Sequence, residues 1–200
     1  MAVIGANGAG KSTFGRCLCG LEKKMQGTIS LRGKVLSYKE RIKRSYLVMQ
    51  DVNHQLFTES VEEEVMLSME KADLSDAQKS EQVQEILQTM HLEDFAQMHP
   101  MALSGGQKQR VSVACAFASD KEMLVYDEPT SGLDHARMLD VAEAMKTMQT
   151  RGKTQFVITH DPELIEQVCD YLLFLEKGHV RCAGPFNDEY VQALEAFFIG

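Results

Sequence analysis

The sequence predicts an α/β fold: a mostly parallel β-sheet flanked by helices, with a helical subdomain inserted into it. Three observations carry this. Short β-branched and aliphatic runs alternate with helical patterns along the chain, as expected of parallel strands joined by crossover helices. The chain opens on an apolar run, Ala2-Val3-Ile4, that leads straight into a glycine-rich loop and then a helical stretch. Finally, the stretch from about Ser60 to Ala118 carries no convincing strand.

In chain order, Ala2–Gly5 reads as the first strand, and the helix after it runs to about Gly20, a residue suited to its C-cap. Thr28–Leu31 and Ser45–Gln50 read as further strands. Within the helical stretch, Ser75 and Gln78 make a capping-box pair. Val83, Ile86, Leu87 and Met90 then fall on one helical face. Glu122–Asp127 and Thr154–Thr159 are strands of the buried kind. Between them, Met138, Val141, Ala142, Met145 and Met148 form a stripe at helical spacing, read here as core packing. Tyr171–Glu176 and His179–Ala183 flank Lys177-Gly178, a hairpin signal. The expected organisation is one domain, with residues 1–59 and 119–200 as the α/β core and 60–118 as the helical subdomain.

The bulk numbers agree with a globular domain. The chain has 200 residues, 44% hydrophobic and 25% charged, with four prolines. Its formal net charge of -8 opposes a surface built for nucleic acid, so no such partner is expected. A small phosphate site can still be locally positive. No apolar run approaches the roughly 20 residues needed to cross a bilayer. The longest, Tyr171–Leu175 and Ala196–Ile199, are only element-sized, and the start lacks the plan of a secretory leader. The five cysteines (Cys17, Cys19, Cys115, Cys169, Cys182) show no CxxC spacing. Cys17 and Cys19 would point to different helix faces, so reduced thiols are the expected state. The six histidines show no ligand-like spacing.

Gly5-Ala6-Asn7-Gly8-Ala9-Gly10-Lys11-Ser12 fits the phosphate-binding pattern G-x-x-x-x-G-K-[ST], in the required strand-loop-helix context. Glycines let the backbone wrap phosphate and aim its N–H groups inward, and the helix N-terminus adds positive charge. Lys11 can reach the β- and γ-phosphates, and the Ser12 hydroxyl can ligand Mg²⁺. The nucleotide-contacting set is Gly5, Asn7, Gly8, Ala9, Gly10, Lys11, Ser12 and Thr13. Met123-Leu124-Val125-Tyr126-Asp127-Glu128 is an apolar strand ending in two carboxylates. Asp127 is placed to hold Mg²⁺ and Glu128 to orient and polarise the attacking water. ATP and Mg²⁺ are therefore the expected substrate and metal.

Leu103-Ser104-Gly105-Gly106-Gln107, followed by Lys108-Gln109-Arg110, resembles the signature sequence of ATP-binding cassette proteins without a mismatch. Ser104 can cap a helix whose N–H groups and glycine backbone make a second anion site. The order of motifs agrees with that family: P-loop, Gln50, signature, Asp127-Glu128, Ser131-Gly132-Leu133-Asp134, His160. The resemblance implies the P-loop NTPase fold and two cassettes facing head to tail, identical or related. Each ATP would lie between the P-loop of one and Ser104, Gly105, Gly106 and Gln107 of the other. It also implies that Asp134 lies in the loop crossing that interface, that His160 contacts the γ-phosphate, and that Gln50 links Mg²⁺ and water to the helical subdomain. Met49–Phe57 and Val61-Glu62-Glu63-Glu64-Val65 are similar to the ATPases of energy-coupling-factor importers, which take up vitamins or metal ions. In that group this segment receives the coupling helices of a transmembrane subunit, at the cytoplasmic face of the membrane.

One departure from the family pattern stands out. Relatives carry two or three strands ahead of the P-loop, including an aromatic that stacks on adenine, whereas here the P-loop begins at Gly5. The expectation is a truncated chain, such as the C-terminal cassette of a duplicated ATPase, with a late gene start as the alternative. Two other functions stay open. One is a cassette ATPase outside transport, in DNA repair or on ribosomes, although no coiled coil, zinc-binding cysteine set or basic arm is visible. The other is a nucleotide-binding cassette with weak catalysis.

Overall fold

A computed structural model describes residues 1–70 and 72–186. The apolar run Ala196–Ile199 lies outside the described residues. Strand β1 (Ala2–Ile4) leads through the glycine loop into helix α1 (Lys11–Leu18). A small antiparallel ladder follows, β2 (Ser30–Leu31) with β3 (Lys34–Val35), then helix α2 (Tyr38–Arg44) and strand β4 (Ser45–Val48). Helices α3 (Val61–Ser68), α4 (Asp76–Thr89) and α5 (Gly105–Ala118) occupy the stretch expected to be helical. The remainder alternates: β5 (Met123–Asp127), α6 (His135–Thr150), β6 (Thr154–Ile158), α7 (Pro162–Val168), then the hairpin β7 (Tyr171–Glu176) and β8 (His179–Pro185).

The six-stranded sheet runs β4-β5-β6-β1-β7-β8. Every neighbouring pair is parallel except β7–β8. Side chains alternate across it, yet both faces are buried, which explains why the strands read as continuous apolar runs. Ala2 and Ile4 join Leu124 and Tyr126 in one hydrophobic layer, with Met145, Leu164 and Leu172. Val3, Val125, Ile158 and Leu173 point the other way, toward Leu18 and Cys19 of the α1 side.

The Met138–Met148 stripe is buried throughout, and so are Val83, Leu87 and Met90 of α4, while Ile86 is only partly covered. The capping box at Ser75 and Gln78 forms as expected. Gly20 stands just past the α1 cap with φ 76, and Lys177 and Gly178 turn the hairpin at φ 49 and 80.

Several elements differ from expectation, among them β4, which ends at Val48 and not at Gln50. The strand expected over Thr28–Leu31 is only two residues long and pairs with Lys34–Val35 through a turn in which Arg32 and Gly33 both have positive φ (50 and 79). Helix α2 had no apolar stripe to announce it. Its side-chain signal is the Ser37–Glu40 capping box, with Lys34 Nζ 2.8 Å from Glu40 Oε1. Strand β8 runs two residues beyond the expected Ala183, to Pro185.

Candidate functional site

Four adjacent parallel strands, β4, β5, β6 and β1, release their chains at the same edge of the sheet. Just beyond their C-terminal ends stand Gln50, Asp127-Glu128, His160 and the Gly5–Ser12 loop respectively. Ligands of open parallel sheets bind at that edge. A cleft of about 270 Å³ opens there, lined by Asn7, Gly8, Gly10, Lys11, Ser12, Thr13, Gln50, Asp127 and Glu128. It contains no aromatic ring.

The loop is shaped by close approach. A Cβ on Gly5 would lie 2.2 Å from the carbonyl oxygen of Leu175, so only glycine fits beside the β7 backbone. Ala9 is buried and its carbonyl accepts from Gly178 N at 3.1 Å, which anchors the loop to the β7–β8 turn. Gly10 caps α1 in the left-handed conformation (φ 100), with no side chain satisfying the first turn and no acid in it. The free N–H groups and the dipole of that helix end are therefore available to an anion. Lys11 Nζ donates to the carbonyls of Gly5 (2.7 Å) and Ala6 (3.2 Å), which holds its charge over the loop.

Asp127 is buried, and that burial pushes its carboxyl above the ordinary aspartate range. A hydrogen bond from Ser12 and the charges of Lys11 and Arg16 oppose the shift. The Ser12 hydroxyl and the Asp127 carboxylate line the same cleft, and both are hard oxygen donors of the kind Mg²⁺ takes. Together with Gln50 they fit the ion.

Glu128 sits at φ 54, an uncommon conformation for a glutamate, and is only 9% exposed. Its amide donates to Ile158 O at 2.8 Å. Its carbonyl accepts from Ser131 N (3.2 Å) and from Gln109 Nε2 (3.2 Å). Its carboxylate lies 2.9 Å from His160 Nδ1. A carboxylate can only accept, so Nδ1 carries the proton and a neutral His160 keeps Nε2 as an acceptor. His160 is otherwise exposed and does not line the cleft.

The signature residues form a separate hollow of about 440 Å³. Its lining is Ser104, Gly105, Gly106, Gln107, Arg110, Gly132, Leu133, Asp134 and Arg137. No residue lines both hollows. Ser104 caps α5 and Gln107 returns the bond: Gln107 N donates to Ser104 Oγ (3.3 Å) and Ser104 N to Gln107 Oε1 (2.8 Å). The Gln107 side chain is therefore spent on the cap, while Ser104 and Gly105 remain exposed. A Cβ on Gly106 would meet Gly132 O at 2.9 Å, so this glycine lets the Ser131–Asp134 loop lie against the helix. Asp134 itself caps α6, accepting from Arg137 N at 2.9 Å.

Sequence reasoning missed several organising residues. Gln109 and Arg110 are buried on α5, and the Nε of Arg110 has no partner. Gln55 accepts from Met49 N and donates to Leu47 O and Tyr46 Oη, which shapes the loop after β4. Glu64 is buried and accepts from Phe57 N, Thr58 N and Thr58 Oγ1 at 2.8–2.9 Å. The available signal for Gln109 was polarity beside the largely apolar stretch Val111–Ala118, broken only by Ser112, which marks a helix buried on most sides.

Residues 1–131 match the family described as ABC transporter. The chain is 43% identical over 98% of itself to an ABC transporter ATP-binding protein of Treponema denticola, of which it spans 40%. It is 32% identical to one of Listeria monocytogenes, over 96% of this chain and 74% of that protein. It is 35% identical to an energy-coupling factor transporter ATP-binding protein of Methanospirillum hungatei, over 95% of this chain and 49% of that protein. The chain thus spans less than half the length of some curated relatives. Among solved structures, the dimeric ATP-binding cassette MJ0796 with ADP and Pi superposes with a TM-score of 0.80 at 27% identity, covering 93% of this chain and 84% of that one. CbiO1 of Clostridium perfringens, part of the transporter complex cbiONQ, gives 0.78 at 28% identity, covering 99% and 81%. By these matches the chain belongs to the ABC transporter family, as an ATP-binding cassette.

Proposed function

We propose that this cassette binds and hydrolyses ATP to drive a membrane transporter, and that the transporter is an importer of the energy-coupling-factor type. The observation that carries the first part is the convergence of Lys11, Ser12, Gln50, Asp127 and Glu128 in one cleft, while Ser104–Gln107 lie in another hollow of the same chain. A single copy then holds two half-sites, and a second cassette completes each. The likeness to an energy-coupling factor ATP-binding protein and to CbiO1 supports the importer type. So does Phe57, 74% exposed on the loop that Glu64 organises, which suits an apolar contact with a transmembrane subunit at the cytoplasmic face. No described helix is long and apolar enough to cross a membrane.

In this reading the P-loop N–H groups and Lys11 grip the β- and γ-phosphates of ATP. Mg²⁺, when bound, neutralises phosphate charge, and Ser12, Asp127 and Gln50 would hold it. Glu128 accepts a proton from the water that attacks the γ-phosphorus as the bond to ADP breaks. His160 fixes the Glu128 carboxylate through the 2.9 Å contact. The partner's signature hollow covers the γ-phosphate, and the exposed His160 side chain is open to the same phosphate.

The test is Mg²⁺-dependent phosphate release by wild type, Lys11→Ala and Glu128→Gln, with nucleotide binding measured in parallel. Lys11→Ala is expected to lose binding. Glu128→Gln is expected to keep binding while turnover falls roughly 100-fold or more. Unaltered turnover in Glu128→Gln would remove the assigned role.

A further inference from the structure

The hydrogen bond from Gln109 to Glu128 crosses from the signature helix into the other half-site of the same chain. Gln109 is 3% exposed, and its Nε2 donates to the Glu128 carbonyl at 3.2 Å. Glu128 needs such support. At φ 54 its backbone is in a left-handed conformation that is unfavourable for an ordinary residue and persists only when its surroundings fix it. Ile158 O, Ser131 N and Gln109 Nε2 are the groups that fix its peptide units. The first two belong to the β6 end and to the loop after β5. Gln109 alone belongs to the helical subdomain.

The helix makes this a mechanical link. Ser104 caps the start of α5 in the signature hollow, and Gln109 lies five residues on, roughly 7 Å along the axis. A helix does not compress over so short a span. Any shift of α5 on binding an anion at its N-terminus would be delivered to the Glu128 carbonyl, and so to the aim of the Glu128 carboxylate.

We propose that Gln109 is a positioning residue: it sets Glu128 for water activation in one site according to whether the signature hollow of the same chain is engaged in the other. This rests on the hydrolytic function proposed above. It predicts that losing the donor slows the chemical step and uncouples the sites, with nucleotide binding unaffected.

The experiment uses the full-length protein with its transport partners. It compares wild type, Gln109→Met (similar length, no donor) and Gln109→Glu (same shape, acceptor in place of donor), each also with Glu128→Gln. Rates are normalised to the number of ATP sites titrated, so that misfolded protein does not count. The expected result for Gln109→Met is a kcat roughly tenfold lower, the worth of one hydrogen bond at the transition state. KM should stay within twofold, and the Hill coefficient for ATP should fall toward one. Gln109→Glu should be no faster than Gln109→Met, and provides the same comparison if the methionine variant does not fold. In the Glu128→Gln background neither substitution should slow the residual rate further. Wild-type kcat and Hill coefficient in either folded variant would overturn the proposal. An equal fold-loss in the Glu128→Gln background would also overturn it, because the effect would then not pass through Glu128. A wild-type protein without ATP turnover would instead overturn the hydrolytic function itself.

Discussion

Asp127 shows what burial does to a single charged residue here. The carboxyl is buried at the end of a buried strand, and burial raises its pKa against the opposing pull of Ser12, Lys11 and Arg16. A folded-state pKa above the unfolded value means that the ionised group costs stability at neutral pH. That cost fades as the pH falls through the folded pKa, where the native carboxyl takes up its proton first. Asp127→Asn removes the charge while keeping the shape. In Mg²⁺-free buffer at pH 7 it is expected to raise Tm, an advantage that shrinks as the pH approaches 4. Scanning fluorimetry across that range checks it. A lower Tm for the variant at pH 7 would mean that Ser12 and Lys11 outweigh the burial. The same substitution should abolish any rise in Tm from Mg²⁺ and ATP together.

Among the described helices, capping separates one element from the rest. Helices α2 to α7 begin on Ser37, Ser60, Ser75, Ser104, Asp134 and Asp161, each accepting from the first turn. Helix α1 begins on Gly10 with no side-chain cap. Its first-turn N–H groups are left to the phosphate site proposed above, and its hold on the fold comes from packing instead. Gly15 is where that packing is tightest: a Cβ there would lie 3.1 Å from Ile158 Cδ1 and 3.2 Å from Val125 Cγ1. Both neighbours are fully buried β-branched residues in the sheet, with little room to give. Gly15→Ala gains about 1 kcal/mol of helix propensity. Overpacking typically costs 1–3 kcal/mol and is expected to win, by roughly 1 kcal/mol net. Urea unfolding measures the balance, and ATP affinity should fall with it as α1 is pushed off the sheet. A stabilised variant would show that the two strands can part.

Across the whole molecule, burial sorts the five thiols. Burial pushes Cys19 and Cys169 up to about 11 and Cys115 up to about 12. Cys17 and Cys182 are only partly covered, and none of the five is in a disulfide. Reaction with a thiol reagent at pH 8 is expected to show two fast groups in the native chain and five after denaturation. Three or more fast thiols would mean that the layers on one face of the sheet open readily. The same scale explains the two hollows. The sheet edge gathers one set of ligands and the α5 N-terminus presents the other, and a rigid chain cannot bring them together on itself. The similar cassette MJ0796 is solved as a dimer bound to ADP and Pi.

Much of this was legible in the residues. The P-loop, the Asp127-Glu128 strand end and the signature each need particular residue types at fixed spacing, because backbone wrapping, metal ligation and helix capping are local demands. The Met138–Met148 stripe and the strands buried on both faces were legible for the same reason, since burial imposes periodicity. Lys34–Val35 and α2 were not, because an exposed two-residue ladder and a helix tied down by its cap leave no apolar pattern. What only the tertiary structure decided is partnership at a distance. It joined His160 to the Glu128 carboxylate and set Gln109 under the Glu128 carbonyl 19 residues further along the chain. Such bonds depend on how α5 and β6 pack beside β5, and packing of separate elements leaves no trace in the spacing of residues along the chain.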